Sequence, residues 1–337
     1  MEDVVLLDVD ALNELIFEEF DQAGGEDTEA RIKKQIESYK YYEGYQHRHP
    51  ETGELVKDED IPRPLGFDYD PTRVTTNYFK ALIDRKARWQ MGGNHSVVVP
   101  RRQLDDKELT MEPDYEPSEE QKKELERAKN LEDLIMQLWE DNRMKERLLA
   151  SARDRLLGGR VVCKLVWSAK HGKLRWLFRP DYEYIPVYSE DDFEELISAN
   201  FLIPRKVLQD GETKEAVLIQ KYTLEGDTPE SSQCYIEETL YLTEDMSVIE
   251  KVTPRAPMGL DFIPVVEFPV ETLSAKAGGN VETDGIRRLN DILIQLNEDA
   301  IDSLRFEMFP ITAFIDVPEG TVNKVSIAPG AQLEVQG

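Results

Sequence analysis

Positive charge is scarce in this chain: 41 lysines and arginines stand against 68 aspartates and glutamates, a formal net charge of −27 over 337 residues. That balance argues against a protein that grips a phosphate backbone over a wide surface, because such a grip is built from clustered lysine and arginine. It leaves room for a chain that stays close to DNA without holding it. Histidines number four, at 47, 49, 95 and 171, so few side chains are suited to general-base work at neutral pH. His47 and His49 form a His-x-His pair, but no cysteine or further histidine lies near them, and no metal site is expected. Cys163 and Cys234 sit in separate strand-like runs without metal-ligand spacing. They fit free thiols in a reducing compartment, with a single bridge as the alternative. No apolar run approaches the length of a membrane span, and the start MEDVVLLDVD lacks the basic region of a signal peptide. A soluble chain with no membrane partner is expected, in a cytoplasm-like space. The phosphate-cradling pattern G-x-x-x-x-G-K-S/T is missing, as are G-x-S-x-G and H-E-x-x-H. Acidic pairs such as Asp8/Asp10 and Asp68/Asp70 resemble fragments of metal sites, but 68 acidic residues produce such pairs by chance. The chain does not read as an enzyme, and no catalytic residue, cofactor or metal is expected.

What the chain does have is one long stretch of helical period. Within residues 282–309, ETDGIRRLNDILIQLNEDAIDSLRFEMF, Ile286, Leu289, Leu293, Leu296, Ala300 and Leu304 recur at steps of three and four. Asp291, Gln295, Glu298, Asp302 and Arg305 recur at the same steps on the other side. At 1.5 Å per residue these positions make a rod of roughly 40 Å. Thr283 can cap its start, Asp284 suits the positive N-terminal end, and Pro310 stops it. The pattern predicts one stripe to bury and another that faces water. An amphipathic helix lying on a globular core satisfies it without further assumption.

With 40% hydrophobic and 9% aromatic residues the chain can fill a sizeable core, in one large domain or in two or three. Residues 1–22 form an acidic amphipathic segment with Leu12, Leu15, Ile16 and Phe20 on one face. It reads as a loosely attached helix, or as an arm that docks on a neighbour. A helix over 28–42 stops at Gly44, and the polar stretch 47–71, rich in proline and glycine, reads as an exposed loop. Asn77 can cap a helix whose apolar residues are Phe79, Leu82, Ile83 and Ala87, released at Gly92-Gly93. Lys80, Arg85, Lys86 and Arg88 make this the most basic short patch, either a solvated face or a contact with another subunit or nucleic acid. Val97–Val99 reads as a strand, and 101–120, with Pro113 and Pro117, as a flexible loop.

Helix follows over 119–157, broken near Glu140-Asp141-Asn142 and closed by Gly158-Gly159. The period then changes to two. Residues 160–168 and 173–178 predict a hairpin, and strand-like runs cover 195–203, 215–224, 233–242 and 246–252. FIPVVEFPV (262–270) carries two prolines, so it is an edge strand or an extended connector. Lys276–Asn280 links into the long helix. Beyond Pro310, runs over 311–317 and 321–327 and then AQLEV read as short strands, and the sequence stops midway through a hairpin-like pattern. A shortened chain or a missing segment is therefore expected.

Several of these stretches carry a resemblance. They are YKYYEGYQ (39–46), NYFKALIDRKARWQMGG (77–93), LLGGRVVCKLVW (156–167), PDYEYIPVYSED (180–191), FIPVVEFPV (262–270) and the helix 282–309 with FP at its end. In this order they resemble the portal (head–tail connector) proteins of tailed bacteriophages, in the branch typified by a Bacillus siphophage portal. The resemblance implies an α+β fold with an α/β wing over 1–272, a linker and stem helix over 273–310, and a partial β-rich clip over 311–337. The rest of the clip, a second stem helix, a channel loop and a crown, which such proteins have, find no counterpart here.

The function implied is structural: a subunit of the ring-shaped DNA channel at the capsid vertex, serving genome packaging, head–tail joining and DNA ejection. The implied setting is the virion, with the host cytoplasm during assembly. The implied partners are further copies of the chain, usually as a dodecamer, weakly and non-specifically contacted double-stranded DNA, the packaging terminase ATPase, a head–tail adaptor, and capsid and scaffold proteins. In such a ring Ile286, Leu289, Leu293, Leu296, Ala300 and Leu304 would pack between subunits. Asp291, Gln295, Glu298, Asp302 and Arg305 would line the bore, and Lys80, Arg85, Lys86 and Arg88 would form a basic wing patch. The alternatives are another virion structural or scaffold protein without a channel, and a metal-dependent nuclease using clustered carboxylates.

Overall fold

Helix α1, Thr28–Tyr42, ends as the sequence requires. Gly44 takes a φ of +102°, and its N–H and that of Tyr45 return to the carbonyls of Tyr41 and Lys40 at 3.2 and 3.1 Å. This is the double closure that a left-handed glycine permits after a helix. The fold comes from a computed structural model that describes residues 28–62, 69–93, 96–99, 119–189, 192, 195–209, 211–226, 228, 231–244, 247–270, 283–310, 312–315 and 332–335. The expectations for 1–22, most of 101–120, 276–280 and 321–327 lie outside these residues.

The stretch read as a loop, 47–71, contains ordered pairing. Strands β1 (His47–Arg48) and β2 (Leu55–Val56) pair antiparallel, and a 3-10 turn spans Asp58–Asp60. His49 is occupied locally, its Nδ1 accepting the N–H groups of Glu51 and Thr52 at 3.3 and 3.4 Å. Helix α2, Tyr78–Met91, is capped by Asn77, whose Oδ1 accepts the Lys80 N–H at 2.9 Å. Phe79, Ile83 and Ala87 are buried, but Leu82 is half exposed, so the buried face is narrower than the sequence suggests. Residues 96–99 form no strand: the Val99 N–H goes to the Glu132 carboxylate at 3.0 Å rather than into a ladder.

Helices α3 (Glu119–Asp141) and α4 (Met144–Gly158) break where the polar run predicts. Arg143 takes a left-handed conformation at the break. Asn142, fully buried, closes the break against strand β4 described next. Its amide donates to the carbonyls of Leu138 and Leu174 at 2.9 and 3.1 Å, and its Oδ1 accepts the Trp176 N–H at 3.1 Å. At the far end Gly158 allows close approach: a Cβ there would sit 3.3 Å from the Asp181 Cβ.

Strands β3 (Arg160–Ser168) and β4 (Lys173–Pro180) form the expected hairpin. After a 3-10 turn, Asp181–Glu183, come β5 (Tyr184–Tyr188), β6 (Leu196–Gln209), β7 (Glu212–Glu225), β8 (Gln233–Leu242) and β9 (Val248–Pro257), an antiparallel five-stranded sheet in sequence order. Strand β10, Val265–Pro269, adds to β3 and completes a three-stranded sheet in the order β10-β3-β4. The proline-bearing segment thus takes an edge, where a missing N–H leaves no gap in a ladder. Helix α5, Thr283–Met308, follows. Strands β11 (Thr312–Ile315) and β12 (Gln332–Val335) pair in parallel. The fold is thus mixed helix and sheet. Cys163 and Cys234 are separate buried thiols on β3 and β8, and burial pushes the Cys163 thiol up to about 11.

Alternation along β6 buries both of its faces. Leu202, with Ile185 and Val217, packs on Ile32 and Ile36 of α1. Ala199, Phe201 and Ile203 face the other way, into a core with Val162 and Ile263. A third, mainly helical core joins Tyr41, Phe79, Ile83, Ala87, Ala152 and Leu156, and Ile286 of α5 packs against it.

Between these cores lie charges. Arg160 Nε meets Asp181 Oδ1 at 2.6 Å, and Asp181 Oδ2 also receives Arg31 and Gln35 at 2.5 Å each. Glu267 joins through Arg160 at 3.0 Å and through the hydroxyls of Tyr184 and Tyr188. Two nearby carboxyls are raised. Burial takes Glu183 to about 7 despite Arg179 at 3.2 Å, and takes Asp154 to about 6 despite the Tyr39 hydrogen bond. A carboxyl raised in the folded state contributes stability below its unfolded pKa and loses it as pH climbs through the folded value. Between about pH 4 and pH 7 these two groups therefore weaken the fold as pH rises. Glu183→Gln is expected to remove much of that slope and to stabilise the chain at pH 8 by about 1–3 kcal/mol, read by chemical denaturation at pH 5 and pH 8. An unchanged slope would show that Glu183 is ionised in the fold.

Candidate assembly surface on the long helix

Helix α5 lies against its own chain by one edge, and that edge is mixed, polar groups alternating with Ile286, Ile294, Ile301 and Phe306. The segment before α2 runs along it without a strand partner, so its N–H groups need acceptors from elsewhere. The helix supplies two of them, and Asp58 takes the Thr75 N–H at 2.8 Å. Asp302 takes the Thr72 N–H at 3.1 Å and the Thr72 hydroxyl at 2.6 Å, and Glu298 takes the Val74 N–H at 3.1 Å. Asn297 bonds Thr76 at 3.2 Å, and the Phe306 ring meets Tyr69 edge-on at 5.2 Å. Higher up, Asn290 is buried: it accepts the Phe79 N–H and donates to the Tyr41 hydroxyl at 2.8 Å. The Tyr41 hydroxyl in turn donates to Asp291 at 2.5 Å, and burial followed by that bond raises the Tyr41 phenol above its ordinary range. Surface ion pairs flank the contact, Lys34 to Asp284 at 2.7 Å and Glu37 to Arg287 at 3.2 Å. His47 Nε2 lies 3.1 Å from Asp58 and 3.7 Å from Glu298.

The polar stripe expected to face water does so in part: Asp291, Gln295 and Arg305 are exposed, while Glu298 and Asp302 are half-buried. Of its members, Asp291, Glu298, Asp302 and Arg305 all touch the chain's own residues, Arg305 reaching the Asp70 carbonyl at 3.5 Å. The signal missed in the sequence was the neighbouring segment PTRVTTN, 71–77: an extended stretch with no partner strand calls for acceptors, and carboxylates at helical spacing match it.

The leucine-rich edge is left open. Leu289 is 65% exposed, Leu296 58% and Leu304 55%, with Ile292, Leu293 and Ala300 exposed beside them. Of the expected packing residues only Ile286 reaches a core. The inward aliphatic positions are instead Ile294, buried, and Ile301, half-buried. A stripe of this kind exposes on the order of several hundred Å² of apolar surface, more than a lone soluble subunit usually leaves bare.

The residues of the expected basic patch all lie on α2. Lys80 sits over the Tyr42 ring at 4.5 Å and pairs with Glu43 at 3.5 Å, while Arg85 stacks on Trp89 at 5.4 Å. Lys86 and Arg88 are exposed. Among the described residues no group of three or more His, Cys, Asp and Glu converges to hold a metal ion, and no helix is long and apolar enough to cross a membrane. No family model matches the chain, and no curated protein matches it.

Proposed function

We propose that this chain is a structural subunit of a phage-type portal, contributing wing, stem helix and first clip strands to a ring around passing double-stranded DNA. One observation carries the reading: a 26-residue helix docks by an edge of polar groups and isoleucines and leaves a second, leucine-rich edge bare from Leu289 to Leu304. A helix fixed in that orientation is built to pack against something outside its own subunit. In the ring the stripe from Leu289 to Leu304 lies against neighbouring stem elements. The bore is lined by polar residues that the wing leaves free, Gln295 among them, rather than by Glu298 and Asp302. With a chain charge of −27, repeated around a ring, the surface repels phosphate and lets DNA slide. The clip strands meet the packaging ATPase and later the tail adaptor, and the wing meets capsid and scaffold.

Negative-stain imaging of the chain tests this directly. The expected particles are closed rings with a central hole, and added duplex DNA binds weakly and in a salt-sensitive way. Linear stacks or two-fold pairs would point to a virion component without a channel. Submicromolar DNA affinity at physiological salt would contradict a conduit of low adhesion.

A further inference from the structure

Helix α2 carries a second stripe that its packing does not use. Phe79, Ile83 and Ala87 already satisfy the core, yet Tyr78, Leu82, Arg85, Lys86 and Trp89 line up on the outside at helical spacing. Trp89 is 79% exposed and Tyr78 54%, and the Arg85 guanidinium lies over the Trp89 ring. Tryptophan, tyrosine and arginine together are the composition of binding hot spots, not of a solvated helix face.

We propose that the chain's own residues 1–22 dock along this stripe as an intramolecular acidic arm. Three features of the chain select that occupant. The first is charge: residues 1–22 hold eight Asp and Glu and no Lys or Arg, while the stripe carries Arg85 and Lys86 with Arg88 nearby. The second is shape of pattern: Leu12, Leu15, Ile16 and Phe20 recur at helical steps, an apolar edge that matches Tyr78, Leu82 and Trp89. The third is reach. α1 rises about 21 Å from Thr28 to Tyr42. The Tyr42 carbonyl accepts the Asn77 amide at 3.0 Å, so the start of the stripe lies about one helix length from the point where the arm joins. Seven residues lie between Phe20 and Thr28, and the eight steps they make span up to about 26 Å. A tether this short presents the arm to its own stripe at millimolar effective concentration, above any second copy or nucleic acid in dilute solution. The inference holds whether or not the chain forms a ring.

The test compares the full chain with its Leu82→Ser/Trp89→Ala variant, both positions being exposed enough that the fold survives. A Glu-specific protease is followed at its sites within 1–22. The docked arm is cut slowly, and the variant is cut about tenfold faster, because cleavage follows the population of the released arm. Raising salt accelerates cleavage of the unaltered chain. A zero-length carbodiimide then joins a carboxylate of 1–22 to Lys86 within one chain, independent of concentration. Equal cleavage rates in chain and variant overturn the proposal. So do cross-links found solely between copies, which would make the arm an intersubunit strap, and shielding of Trp89 by added duplex DNA with the arm freely cut, which would make the stripe a nucleic-acid contact.

Discussion

Leu293→Glu together with Leu296→Glu is expected to abolish the proposed ring assembly while leaving the folded subunit within about 1 kcal/mol of its original stability. The two leucines sit on the bare edge of α5, so their replacement opens no cavity and buries no charge inside the subunit. Between subunits the balance differs. Each leucine side chain fully removed from water contributes about 1.5–3 kcal/mol, and the loss recurs at every interface of a closed ring. The added carboxylates must also be desolvated beside one another. A Leu→Ser pair at the same positions separates lost apolar contact from added repulsion and should weaken assembly to a lesser degree. Ile294→Asp is the opposite control: that side chain is buried, and the substitution should unfold the subunit itself. Sedimentation velocity reads assembly and thermal melting reads the fold. Intact rings from the Glu pair would remove the open edge from the assembly surface and with it the main support for the proposed function.

Helix, break and hairpin were legible because their signals are local. Asn77 caps α2, Gly44 closes α1, and the polar run at 140–142 marks a turn that Asn142 completes. The period-two runs likewise became β3, β4 and β6 to β9, although β6, β7 and β9 extend several residues beyond them. What the sequence concealed was which edge of α5 meets its own chain. Periodicity ranks the leucine edge as the one to bury, and for an isolated subunit that ranking fails. The extended segment from Thr72 to Thr76 needs hydrogen-bond acceptors, and Glu298 and Asp302 meet that need better than aliphatic groups. Periodicity also gave Leu82 to the core, where Phe79 and Ile83 already fill the space against Leu156. The parallel pairing of β11 with β12 is a long-range register, which no local turn signal specifies.

Arg160→Ala is expected to destabilise the fold by about 3–5 kcal/mol, the usual consequence of removing one partner from a buried ion pair. The guanidinium is buried and serves three groups at once: Asp181 at 2.6 Å, Glu267 at 3.0 Å and the Tyr188 hydroxyl at 2.6 Å, while stacking over the Tyr184 ring at 5.0 Å. Burial alone would raise the Asp181 carboxyl, but Arg160 and Arg31 together hold it below its ordinary value. In the native chain Asp181 therefore contributes stability above its unfolded pKa and loses it as pH falls through the folded one. Without Arg160 only Arg31 and Gln35 offset burial, so the carboxyl rises relative to the native chain and the variant's deficit should narrow as pH falls through that carboxyl's titration. Arg160→Lys keeps a charge but not the planar fork, and should recover part of the loss. Asp181→Asn in the Arg160→Ala background removes the orphaned charge and should recover part of it too. Denaturant titrations at pH 7.5, pH 5 and about pH 3.5 measure both effects. The cluster joins α1, the Asp181 turn, β3 and β10, and α1 carries Glu37 and Tyr41, which hold α5. Loss of Arg160 should thus also weaken assembly, by loosening the platform from which α5 presents its leucines. A variant that melts earlier but assembles as well as the native chain would show that platform and helix are mechanically independent.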